Sequence, residues 1–92
     1  MLIIENIDTL TQGIGKIKDK INDIEKTSVN TNLSSDEKQW LNILINDFKT
    51  NLIKIEKATK LYNIADRYEQ QQLINITLDL YNDVNKVIQV LQ

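Results

Sequence analysis

Apolar residues recur along the first third of the chain at alternating intervals of four and three: Ile3, Ile7, Leu10, Ile14, Ile17, Ile21 and Ile24. An α-helix turns about 100° per residue, so these positions share an arc roughly 100° wide. Nearly everything else between Glu5 and Lys26 is polar. The pattern predicts a helix over residues 3–27 with one narrow seam of coiled-coil type.

The seam stops at Ser28-Val29-Asn30-Thr31-Asn32-Leu33-Ser34. Short polar side chains in this run compete for backbone hydrogen bonds, so it reads as a loop. Ser34-Ser35-Asp36-Glu37 then has the form of a capping box, with two acids at the positive end of the helix dipole. A second helix is predicted over 35–62. Leu41, Ile45, Phe48, Leu52, Ile55 and Tyr62 form its stripe, with Leu44 on the same face.

No Gly or Pro follows to end that helix. The apolar positions Ile64, Ala65 and Tyr68 nevertheless fall about half a turn of the wheel away from the earlier stripe. A straight helix buried on one side does not change face in this way. Asp66-Arg67-Tyr68-Glu69 also resembles a capping box. A break is therefore expected near 63–66, with a third helix over 67–91. Leu73, Leu80, Val84, Val87 and Leu91 form its central stripe. Ile74, Ile76, Leu78, Tyr81, Ile88 and Val90 widen it to about 200°, enough for two neighbours. The expected fold is all-α: a single domain over 1–92, an antiparallel three-helix bundle with coiled-coil-like packing. The alternative is a helical hairpin whose second arm runs unbroken to the C-terminal end.

Composition narrows the function classes. The 92 residues include no Cys, His or Pro and two Gly. Disulfide scaffolds, zinc ribbons and cysteine nucleophiles are excluded, and the commonest general base and metal ligand is missing. Eleven Lys and Arg face thirteen Asp and Glu, for a net charge of −2. That balance gives no drive toward nucleic acid, and Arg67 is the sole arginine. No apolar run approaches the ~18 residues of a membrane span, and Met1-Leu2-Ile3-Ile4-Glu5 lacks the basic start of a signal peptide. A complete cytoplasmic protein is expected. The Ile, Asn and Lys bias suggests an AT-rich genome.

No catalytic constellation is present, and no catalytic, cofactor or metal residue is expected. Gly13-Ile14-Gly15 is too short for a phosphate loop and lies inside a helical pattern; Gly13, on the edge of the Ile stripe, suits close approach of another helix. Asp79 and Asp83, one turn apart, could share a divalent ion but have no third acid near in sequence; they read as a solvated acidic face with Lys86 as a local counter-charge to Asp83. Asp19 and Asp23, among Lys16, Lys18 and Lys20, read as a solvated face. Lys49, Lys54, Lys57 and Lys60 do not share one face and are interrupted by Glu56.

Interaction residues are the remaining candidates. Trp40 lies about 80° off the stripe of the second helix, with Ile43 and Leu61 further round on the same flank. Tyr68 sits outside any stripe, and Ile74, Leu78 and Tyr81 form a flank of the third helix. Trp and Tyr are frequent binding hot spots. Trp40 and Ile43 either pack against loop 28–34 and the first helix or anchor a partner. The chain is similar in size and helix content to the small helical bacteriocin-immunity proteins, though no motif of theirs maps onto it. Nor does it carry the Trp-x-Gly turn of small secreted helical hairpins, since Leu41 and Asn42 follow Trp40. The expected function is a non-catalytic protein-binding module: a stoichiometric inhibitor, an antitoxin-like or immunity protein, or an adaptor, of phage or plasmid origin. The alternative is a self-assembling coiled-coil protein, with a homodimer as its simplest form. A helical DNA-binding regulator ranks below both.

Overall fold

The computed structural model describes residues 2–30 and 32–91, and of Asn30 only the backbone. Three long helices account for most of it: α1 (Ile7–Asn30), α2 (Ser35–Thr59) and α3 (Arg67–Leu91). A single 3₁₀ turn, Tyr62–Ile64, lies between α2 and α3. All three helices pack against one another, in a body of 46 × 22 × 16 Å.

Two ion pairs fix the α1–α2 register. Lys18 meets Glu56 at 2.9 Å, and Glu25 meets Lys49 at 3.0 Å. One heptad forward on α1 is thus one heptad back on α2, so the helices are antiparallel and in coiled-coil step. The seam between them buries Leu10, Ile14, Ile17, Ile21 and Ile24 against Leu41, Ile45, Phe48, Leu52 and Ile55.

The helix starts are set by local hydrogen bonds. Ser34 caps α2, its hydroxyl accepting from the Glu37 amide at 3.2 Å while the Glu37 carboxylate accepts from the Ser34 amide at 3.1 Å. Asp66 and Glu69 form the same reciprocal pair at the start of α3. These two caps, with the 3₁₀ turn between α2 and α3, exclude the hairpin with one long second arm. The turn needs no glycine, because no described non-glycine residue has a positive φ. Tyr62 stays buried in it, and its carbonyl accepts from the Gln70 side chain at 2.7 Å.

The first helix departs from expectation at both ends. It begins at Ile7, because Asn6 and Thr9 cap it: the Thr9 amide donates to Asn6 Oδ1 at 2.9 Å, and the Asn6 amide donates to Thr9 Oγ1 at 3.0 Å. Ile3 is consequently exposed rather than in the seam, and Ile4 is buried in its place. The segment before the cap folds back over α1. A Cβ placed on Gly13 would stand 3.1 Å from Ile4 Cδ1 and 3.3 Å from Leu2 Cδ2. What approaches Gly13 is thus the chain's own N-terminal segment and not another helix. At the other end α1 continues to Asn30, so Ser28 and Val29 are helical and not loop. The Ser28 hydroxyl bonds back to the Glu25 carbonyl at 2.7 Å, a contact compatible with helix. Thr31, within the expected loop, lies outside the described residues.

In α3 the buried centre is Ile74, Thr77, Leu80 and Val84. Leu73 and Val87 are half-buried on the side of α2, and Leu78, Tyr81 and Ile88 pack partly against the core. The expected 200° apolar face is thus covered only in part by its two neighbours, and Ile76 and Val90 at its edge stay exposed.

Candidate functional site

The residues singled out from the sequence do not form one surface. Trp40 and Ile43 lie near the start of α2, while Leu61 and Tyr68 lie beyond its end, roughly 25–30 Å away at 1.5 Å per residue. Trp40 is 68% exposed and Tyr68 72%; Ile43 and Leu61 are also exposed. Ile74 is only 5% exposed and is a core residue, which removes it from any contact surface. Lys20 Nζ lies 5.4 Å from the centroid of the Tyr81 ring. Leu78 and Tyr81 are half-buried on the α1 side of α3. There the Tyr81 ring serves Lys20 as a cation–π partner.

Trp40 faces the opposite side of α3. With Leu44 and Leu33 it borders a groove of ≈ 430 Å³, floored by Leu41 and Val87 and closed by Val90 and Leu91. Trp40 therefore does not pack as a rim against α1. The α1-facing flank of α2 carries Lys49 and Glu56 instead, engaged in the two ion pairs. Farther along the α2–α3 interface a second hollow of ≈ 470 Å³ is lined by Ile55, Ala58, Leu73 and Ile76, with Lys54, Asp79 and Asp83 along it. The two hollows share no lining residue and lie at different levels of the α2–α3 interface.

The groove was only half legible in the sequence. Val90 and Leu44 read as extensions of core stripes, yet Val90 is highly exposed and Leu44 partly so. Both stand at stripe edges, where burial depends on how closely α2 and α3 approach. The available signal was the coincidence of Trp40 and Leu44 on one flank of α2, four residues apart.

Charge at the groove's entrance is set locally. The backbone and side chain of Ser34 hydrogen-bond the Glu37 carboxylate and hold its pKa below the usual value. Among the described residues no group of three or more Asp or Glu could hold a metal ion, and Asp79 and Asp83 have no third acid beside them. Among the described residues no helix is long and apolar enough to cross a membrane. Compared with known protein families, curated proteins and solved structures, the chain matches none.

Proposed function

We propose that this chain is a non-catalytic protein-binding module, and that the α2–α3 groove receives an apolar segment of its partner. One observation carries the reading. The chain's single tryptophan stands mostly exposed at the lip of an apolar groove, where a core role would bury it. Aromatic residues beside a hydrophobic floor supply large contact area at small entropic cost, the usual make-up of a binding hot spot. An apolar groove between two neighbouring helices suits a helix laid into it.

Within this class, the reading is a stoichiometric inhibitor, an antitoxin-like or immunity protein, or an adaptor, with a phage or plasmid origin in keeping with the AT-rich composition. It works in the cytoplasm and uses no cofactor. The self-assembly alternative drew on the heptad of α1, whose residues Leu10, Ile17, Ile21 and Ile24 are taken up inside the bundle. Nucleic acid gains no support either, because Lys49 of the basic stretch is paired with Glu25.

Affinity capture from the native host with wild type, Trp40→Asp and Tyr68→Asp tests the reading. A protein held by wild type and Tyr68→Asp but lost with Trp40→Asp supports it, provided helical circular dichroism is unchanged. Equal retention by all three removes the groove. Leu78→Asp is not a surface probe, since Leu78 packs against the core.

A further inference from the structure

We draw no further inference here: the strongest candidate, the occupant of the Trp40 groove between α2 and α3, carries nothing beyond the site already described, because the groove's two charged lining residues, Glu37 and Lys86, are opposite in sign and nothing in the structure shows what covers its apolar floor.

Discussion

Single residues in this bundle differ by what their neighbours leave room for. Gly13 and Gly15 lie two positions apart in α1 and look equivalent in sequence. Open space surrounds a Cβ on Gly15, whereas one on Gly13 meets Ile4 and Leu2. Gly15→Ala should therefore raise stability by about 1 kcal/mol, the full helix-propensity gain over glycine. Gly13→Ala should gain clearly less, because the Ile4 methyl must yield by a few tenths of an ångström. Urea unfolding of the two variants checks this, and equal gains would mean that the N-terminal segment does not seat on Gly13. Thr77 is the other residue that tertiary context redefines. It is fully buried, and its hydroxyl is satisfied by the Leu73 carbonyl at 2.8 Å in its own helix. Thr77→Val removes a polar atom that no other helix uses, so its stability should stay within about 1 kcal/mol of wild type. A larger loss would show that the hydroxyl does more than bond its own helix.

At the scale of elements, caps and seams act separately. The boxes at Ser34–Glu37 and Asp66–Glu69 are visible in the sequence because both partners lie within one turn. The Asn6–Thr9 pair does the same work without an acid, so the first helix begins four residues later than its apolar pattern suggests. Ser34→Ala should cost about 1 kcal/mol. The box also confers a pH dependence with a defined sign. Because Glu37 has a lowered pKa when folded, its contribution is present above the carboxyl's ordinary pKa. It is lost as the pH falls through the lowered value. Helicity of the first turn of α2, followed by NMR, should decline in acid in wild type, and Glu37→Gln should flatten that decline. An identical acid response in both would place the titrating group elsewhere.

For the whole molecule, stability rests on one seam of aliphatic side chains, since no disulfide contributes. At roughly 0.05–0.15 kcal/mol per residue, a chain of 92 residues has a net stability of about 5–14 kcal/mol. Ile17 has no exposed surface, and truncating such a residue to alanine costs about 2–5 kcal/mol. Ile17→Ala should therefore remove a large fraction of the total stability, seen as a much lower denaturant midpoint by circular dichroism. The Lys18–Glu56 and Glu25–Lys49 pairs are partly exposed, so each is worth about 0.2–1 kcal/mol. They set register more than strength.

The sequence alone determined the helix count, the break at 63–66 and most of the seam. Those features depend on spacing within a single helix or on partners three or four residues apart, and such local geometry is the same in any fold. It could not say whether Ile74 or Val90 would be covered, which of Ile3 and Ile4 would turn inward, or which side of α2 would carry Trp40 past α3. Each of these depends on how closely two distant segments approach. Only the packing of the three helices against one another, and of the N-terminal segment over α1, decided them, burying Ile74 and Ile4 and leaving Trp40 at the edge of an open groove.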